Sequence, residues 1–90
     1  MYFWLNNTRR LYTLSSEKME YQEKLKKNLK FFRKQLGLTQ EQLAIQLHGH
    51  KSLVSNYENG HSVPDIFTLI FLADLFDISL DELVGRRAFA

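Results

Sequence analysis

Residues 39–60 read TQEQLAIQLHGHKSLVSNYENG, and this stretch decides the fold. Thr39 followed by Gln42 has the spacing of a capping box, so the sequence predicts that a short helix begins here. The segment His48-Gly49-His50 interrupts that helix, and another follows over residues 51–58, before the turn dipeptide Asn59-Gly60. Two short helices joined by so brief a turn form a helix-turn-helix.

The apolar positions of this motif suit two helices in contact. Ala44 provides a small side chain where the helices meet, and Leu43, Leu47, Val54 and Tyr57 provide apolar inner faces. The second helix then projects polar residues outward, namely Lys51, Ser52, Ser55 and Asn56. The major groove of DNA is about 12 Å wide and admits a helix that presents such a face.

Signals on either side of this motif predict three more helices. An apolar stripe at steps of four, four, three and four predicts a first helix of about five turns, formed by Tyr21, Leu25, Leu29, Phe32 and Leu36. Ser15 or Ser16 is expected to cap this helix, and Gly37 to end it. Asp65 is expected to cap a fourth helix that runs to Phe76, and Ser79 a fifth over residues 80–84.

The predicted fold is therefore all-α, a compact five-helix bundle that contains the helix-turn-helix. We predict an N-terminal extension over residues 1–18, the domain itself over residues 19–85 and a tail over residues 86–90. Three interpretations of residues 1–15 stay open: a short hairpin, an irregular arm, or a misassigned gene start, because Met19 could itself begin a complete domain.

Composition narrows the function further. The 90 residues contain no cysteine, which excludes disulfides, thiolate metal sites and cysteine nucleophiles. The net charge is only +2, yet residues 19–36 hold six basic and two acidic side chains, while residues 61–90 hold two and five. This asymmetry suits one face aimed at a polyanion, and it also suits a pair of solvated helix faces.

Several short motifs then carry a family resemblance over residues 25–85, about two thirds of the chain. They are residues 33–40 (RKQLGLTQ), 43–44 (LA), 54–60 (VSNYENG), Pro64, 72–73 (LA) and 78–83 (ISLDEL). In this order and spacing they resemble the lambda-repressor-like helix-turn-helix domain, the Cro/repressor type also called the XRE family. The resemblance implies a small transcriptional regulator that binds double-stranded DNA in a sequence-specific manner.

The same resemblance assigns expected roles to residues of the recognition helix. Lys51, Ser52 and Asn56 match positions that face base edges, and Leu53 and Ser55 flank them. Asparagine can pair bidentately with adenine, whereas lysine can serve either guanine or phosphate.

Contacts to the DNA backbone are expected from Gln40, Asn59 and Arg33. Arg33 and Glu58 also match a partly buried ion pair that joins the first helix to the third and orients the recognition helix.

At the level of the whole protein, the resemblance implies a repressor. We expect a homodimer on an inverted-repeat operator, joined through the fourth and fifth helices, in the cytoplasm of a bacterium or encoded by a phage or mobile element. We expect no enzymatic activity, because no nucleophile–base pair can be argued and Ser52 and Ser55 fit groove or surface hydroxyls. We expect no cofactor and no metal either, because His48, His50 and His61 lack a carboxylate at a ligand spacing.

The turn departs from the family pattern. Where the family usually places glycine and then an aliphatic residue, this chain has His48 and Gly49, so we expect His48 in the left-handed conformation and no apolar side chain at Gly49. His50 replaces the usual serine or threonine cap. These changes predict a looser or differently angled turn.

Aromatic residues at commonly polar positions point to an interface. Phe67 and Phe71 lie one turn apart on the fourth helix, and Phe31 lies on the first. A contiguous exposed apolar stripe usually marks an interaction surface. Either residues 2–5 fold back onto Phe67 and Phe71, or the stripe joins two copies or binds a protein partner such as a toxin. The alternative function is therefore an antitoxin or another protein-interaction module in which DNA binding is secondary; no membrane is expected as a partner.

Overall fold

The computed structural model describes residues 4–5, 10–11 and 14–88 of the chain. Within them five helices follow two very short strands, and this confirms the all-α helix-turn-helix bundle. The elements are β1 (Trp4–Leu5), β2 (Arg10–Leu11), α1 (Leu14–Gln35), α2 (Gln40–Gln46), α3 (Lys51–Asn59), α4 (Ile66–Phe76) and α5 (Leu80–Val84). The strands pair antiparallel, with Trp4 opposite Leu11, as the hairpin interpretation of the N-terminal residues expects.

Helix starts follow the predicted caps. The Thr39 hydroxyl accepts the Gln42 backbone N–H at 3.0 Å, and the Gln42 side chain accepts the Thr39 N–H at 2.9 Å. Ser79 and Glu82 form the same reciprocal pair at α5. Asp65 accepts the backbone N–H three residues on at 2.8 Å, so α4 is capped as well. These bonds satisfy N–H groups that a helix start otherwise leaves unpaired.

The start of α1 differs from the prediction, whereas Gly37 ends the helix as predicted and only the exposure of Leu36 departs from the apolar stripe. The helix begins at Leu14, so positions 15 and 16 lie inside its first turn and not at the predicted N-cap. Neither glycine nor proline separates Leu14 from the apolar stripe, so nothing stops the helix from extending upstream. At the other end Leu36 is 47% exposed, because α1 ends at Gln35 and the chain turns at Gly37, whose φ is +71°. The predicted domain boundary after residue 18 falls within α1 and stays a prediction.

The core lies where α1 packs against the helix-turn-helix and α5. Its buried apolar residues are Leu25, Leu29, Phe32, Leu43, Ala44, Val54, Leu72, Ala73, Phe76 and Leu83. The rings of Phe32 and Phe76 stack with centroids 5.7 Å apart and join α1 to α4. A polar contact joins α1 to α5, since the Asn28 amide donates to the carbonyls of Glu82 and Leu83. This core holds α2 and α3 as one unit against α1.

Candidate nucleic-acid interface

One side of α3 is anchored and the other faces solvent. Val54 is 1% exposed and Glu58 is 7% exposed, so these residues fix the inner side of the helix. The outer side carries Lys51, Ser52 and Asn56, and all three are exposed. The flanking residues Leu53 and Ser55 are half-buried. The structure thus brings the five residues of the predicted base-reading set onto one helix, with three of them open to solvent.

The orientation of α3 depends on a buried ion pair between Arg33 of α1 and Glu58. Arg33 Nε donates to Glu58 Oε2 at 2.6 Å, and Arg33 Nη2 donates to Glu58 Oε1 at 3.0 Å. Arg33 Nη1 also donates to the Leu38 carbonyl at 2.7 Å, in the loop before α2. A bidentate guanidinium–carboxylate pair fixes direction as well as distance. This network therefore ties α1, the start of the helix-turn-helix and the end of α3 together.

Gln40 belongs to the same network, which sequence reasoning missed. Its side-chain amide donates to Glu58 Oε1 at 3.1 Å, so in this structure Gln40 supports the ion pair. Gln40 and Glu58 are 18 positions apart, and no local spacing marks such a contact. The backbone amide groups at the start of α2 still point outward from the helix end.

The other two predicted backbone contacts have different surroundings. Arg33 is 7% exposed and uses three of its N–H groups within the protein. Asn59 is exposed, at the last position of α3, and its amide donates to the Ser55 hydroxyl at 3.2 Å. Of the two side chains, Asn59 is the one open to a phosphate; both assignments stay predictions.

The turn between α2 and α3 contains the left-handed His48 that its sequence predicts, while a looser or differently angled turn stays a prediction. His48 has φ +57°, which lies in the left-handed region. A Cβ atom placed on Gly49 would lie 2.6 Å from Leu53 Cδ2, so the Leu53 side chain occupies the space in front of this glycine. His50 stands at the N-cap of α3 but makes no side-chain cap hydrogen bond. Leu53 therefore supplies an apolar contact at the place where the family pattern puts an aliphatic side chain on the turn.

A shallow groove of about 500 Å³ runs beside the start of α3. It is lined by Glu41, Ile45, Gly49, His50, Lys51 and Ser52. Ile45 is 64% exposed, and Glu41 is the acidic side chain among these residues. The groove thus combines one carboxylate, a lysine, a histidine and an apolar side chain next to the outer side of α3.

Lysines give α1 an exposed positive charge. Lys26 lies beside Gly60 and pairs with Glu23 at 2.9 Å. Lys27, Lys30 and Lys34 are exposed at helical spacing, and none of them forms an ion pair within residues 14–88. This part of α1 therefore presents positive charge that no carboxylate of the described chain neutralises.

Two pKa values are shifted at the α3–α4 junction. Burial raises the pKa of Tyr57, and the negative charge of Asp65 raises it further. The pKa of Asp65 lies below its ordinary value, chiefly because its carboxylate accepts the backbone N–H of Thr68. Tyr57 therefore stays neutral near pH 7, where Asp65 carries its charge.

The described residues show two further negative findings. No three histidine, aspartate or glutamate side chains within residues 16–88 are grouped so that they could hold a metal ion. None of the helices between residues 14 and 88 has both the length and the apolar character needed to cross a bilayer.

Comparison with known proteins now decides the family. The helix-turn-helix family model matches residues 29–83, which is more than half of the chain. The chain belongs to this family. Its match begins in the second half of α1 and ends in α5, so it includes the ion pair, the turn and the whole of α3.

Three curated relatives of this chain are named as transcriptional regulators. The chain is 39% identical over 62 residues to the HTH-type transcriptional regulator ImmR of Bacillus subtilis, covering 69% of this chain and 49% of that protein. It is 37% identical over 65 residues to the cryptic phage CTXphi transcriptional repressor RstR of Vibrio cholerae, covering 72% and 58%. It is 36% identical over 67 residues to the HTH-type transcriptional activator BcrR of Enterococcus faecalis, covering 74% and 31%.

The chain spans about half the length of the first two relatives and about a third of BcrR. No solved structure shows a significant match. The comparisons thus assign this chain to the family, and they do not test which side chains contact DNA.

Proposed function

We propose that this chain binds double-stranded DNA in a sequence-specific manner, as the DNA-binding part of a transcriptional regulator. One observation carries the proposal: Lys51, Ser52 and Asn56 are exposed on the outer side of a helix whose inner side is held by Val54 and Glu58. A helix anchored in this way can enter the major groove with its outer side against base edges. The names of the relatives support a regulatory binding role and not an enzymatic one.

The proposed division of labour follows from exposure. Asn56 and Lys51 read bases, because an amide can pair with adenine and an ammonium can contact guanine. Ser52 adds a hydroxyl at the groove, and the half-buried Leu53 and Ser55 shape the surface between them.

Phosphates are met by the exposed Asn59 and by lysines of α1 such as Lys30 and Lys34. Gln40 and Arg33 contribute chiefly by holding Glu58, and through it α3.

We further propose a homodimer on an inverted repeat that acts as a repressor in a bacterial cytoplasm. A single recognition helix contacts few base pairs, whereas two copies read half-sites about 34 Å apart on one face of the duplex. Steric exclusion of polymerase from an occupied operator then requires no ligand and no enzymatic step. The relative RstR is named a phage repressor, which supports repression. The relative BcrR is named an activator, so activation of transcription is the competing outcome.

Binding to a duplex selected from a random pool tests this proposal. We expect Asn56→Ala and Lys51→Ala each to weaken binding to that duplex by about 1–3 kcal/mol. The matched control is Lys18→Ala, which also removes one exposed positive charge but lies near the start of α1. Titrations at several salt concentrations separate base from phosphate contacts, because the log–log salt slope falls by about 0.9 for each phosphate that the variant no longer neutralises. Equal affinities for all four proteins would refute the assignment of α3.

A second function is favoured by one specific observation. Phe67 is 79% exposed, which suits a module that binds a protein partner such as a toxin, with DNA binding secondary. The double variant Lys51→Ala/Asn56→Ala separates the two functions. Loss of operator binding with an intact partner complex supports DNA reading by α3, and unchanged binding to every DNA supports the protein-interaction module.

A further inference from the structure

An apolar pocket of about 370 Å³ opens beside the first half of α1. Its apolar walls come from four parts of the fold: α1, the connection between α3 and α4, α4, and α5. They are formed by Leu25, Val63, Leu69 and Val84. None of the residues that line the pocket belongs to α2 or α3, so it is separate from the candidate nucleic-acid interface. Its volume lies in the range of roughly 300–1,000 Å³ that is typical of small-molecule sites.

The pocket arises where the apolar stripe of α1 leaves the core. Leu25 is 6% exposed, whereas Tyr21, one turn nearer the start of the helix, is half-buried. Leu69 and Val84 are also half-buried, and Val63 is 48% exposed. Apolar side chains are thus open to solvent at the pocket, and a ligand that covers them gains hydrophobic free energy.

The charge among the lining residues is positive. Lys18 lines the pocket, is exposed and forms no ion pair within the described chain. No aspartate or glutamate is among the lining residues, and Glu20, two positions from Lys18, pairs with Lys24 at 3.4 Å. Tyr21 adds a hydroxyl that can donate a hydrogen bond. An ammonium group beside apolar walls suits a ligand with an apolar body and one negative group.

We propose that this pocket binds a small aliphatic carboxylate. Its chain lies against the four apolar side chains, and its carboxylate pairs with the Lys18 ammonium and accepts a hydrogen bond from the Tyr21 hydroxyl. A ligand with a positive group would be repelled by that ammonium. A second copy of the chain is a poorer occupant, because a two-fold contact at this pocket would bring two Lys18 side chains onto one surface.

Octanoate is a suitable probe, because it combines an aliphatic chain with one carboxylate. A ligand of this size in a pocket that stays partly open to solvent binds weakly, and we expect a dissociation constant on the order of 0.1–1 mM. Each further methylene group that the pocket buries should lower the dissociation constant about fourfold. The affinity should therefore rise from hexanoate to octanoate.

Titration of the isotope-labelled chain with octanoate, followed by NMR, tests the proposal. We expect saturable shift changes at the backbone amides of pocket residues such as Tyr21, Val63 and Val84, and none at the outer side of α3. Octylamine is the matched probe, because it has the same chain and the opposite charge. It should bind at least about threefold more weakly than octanoate.

Two variants separate the charged group from the apolar wall. Lys18→Glu reverses the charge at an exposed position, so we expect the fold to persist, the dissociation constant of octanoate to rise about threefold or more and that of octylamine to fall. Val63→Asp places a carboxylate on the apolar wall and should weaken octanoate binding in the same way. The matched controls are Lys27→Glu and Ile45→Asp, which make the same changes at exposed positions outside the pocket. Both controls should bind octanoate as the parent chain does.

Four results would overturn the proposal. The first is the absence of saturable shift changes up to about 10 mM octanoate, which would mean that residues of the chain itself or a second copy cover the pocket. The others are equal affinities for octanoate and octylamine, an octanoate affinity that Lys18→Glu leaves unchanged, and shift changes that require phosphatidylcholine vesicles. Circular dichroism reports whether each variant is folded. If Lys18→Glu does not fold, Lys18→Gln replaces it and should abolish the preference for octanoate over octylamine.

Discussion

Replacing Glu58 by glutamine isolates the ion pair that orients α3. The substitution keeps the size of the side chain and one acceptor oxygen, but it removes the negative charge that receives three hydrogen bonds. Two of these bonds come from the Arg33 guanidinium and one from the Gln40 amide. The side chains of Arg33 and Glu58 are only 9% and 3% exposed, so water cannot replace the missing charge.

The expected cost follows from that burial. Removing one partner of a buried ion pair typically destabilises a protein by about 3–5 kcal/mol, because the other charge stays buried without compensation. Glutamine keeps an acceptor, so we expect the lower end, about 3 kcal/mol. Domains of this kind have total stabilities of roughly 5–15 kcal/mol, so the variant is expected to fold with a much reduced margin.

Urea unfolding followed by circular dichroism measures the change. Glu20→Gln is the matched control, because Glu20 pairs with Lys24 at 3.4 Å on the surface, where the side chains are 55% and 44% exposed. We expect the control to cost at most about 0.5 kcal/mol. We also expect the double variant Arg33→Met/Glu58→Leu to be more stable than Glu58→Gln, since it leaves no unpaired charge. A cost for Glu58→Gln within about 0.5 kcal/mol of the control would refute the reasoning.

Three further changes test the turn and the caps. His50→Ser should give α3 the side-chain cap it lacks and raise the free energy of unfolding by about 1 kcal/mol in urea titrations; an unchanged midpoint would contradict this. The pKa of Asp65 is lowered, so its stabilising effect is complete above the unfolded value near 3.8 and is lost as pH falls through the lower folded value. Asparagine at position 65 still caps α4 but does not titrate, so in thermal melts the stability of Asp65→Asn should fall less steeply than that of the parent below about pH 4. Parallel curves of stability against pH would contradict this prediction. We expect the effects of Gly49→Ala and Leu53→Ala on the free energy of unfolding to differ from additivity by at least about 0.5 kcal/mol in the double variant. Simple additivity would mean that the two residues do not share the same space.

Features that depend on a few neighbouring residues could be predicted from the sequence. The Thr39–Gln42 capping box and the Asp65 cap each involve residues three positions apart, and a side chain at a helix start has few other partners. The left-handed conformation of His48 also depends only on neighbouring residues, because the turn requires this conformation at that position whichever residue occupies it. The inner side of α3, with Val54 buried, followed from helical spacing.

Features that depend on tertiary packing could not be predicted in the same way. Leu36 continues the apolar stripe of α1 by spacing, yet the helix ends one residue earlier and the side chain is exposed. Gln40 suits a phosphate contact by position, but the fold brings the Glu58 carboxylate within 3.1 Å of its amide. Leu53 fills the space in front of Gly49, which depends on the angle between α2 and α3.

The most direct test of DNA reading by α3 is selection of bound duplexes from a random pool, carried out in parallel with the parent chain and with Asn56→Ala. We expect the parent chain to enrich a two-fold symmetric site whose half-sites lie about one helical turn apart. The variant should enrich the same site without preference at one symmetry-related pair of positions. Enrichment of no sequence by the parent chain, or of the same sequence with undiminished preference at every position by the variant, would contradict the assignment of α3 as the helix that reads DNA.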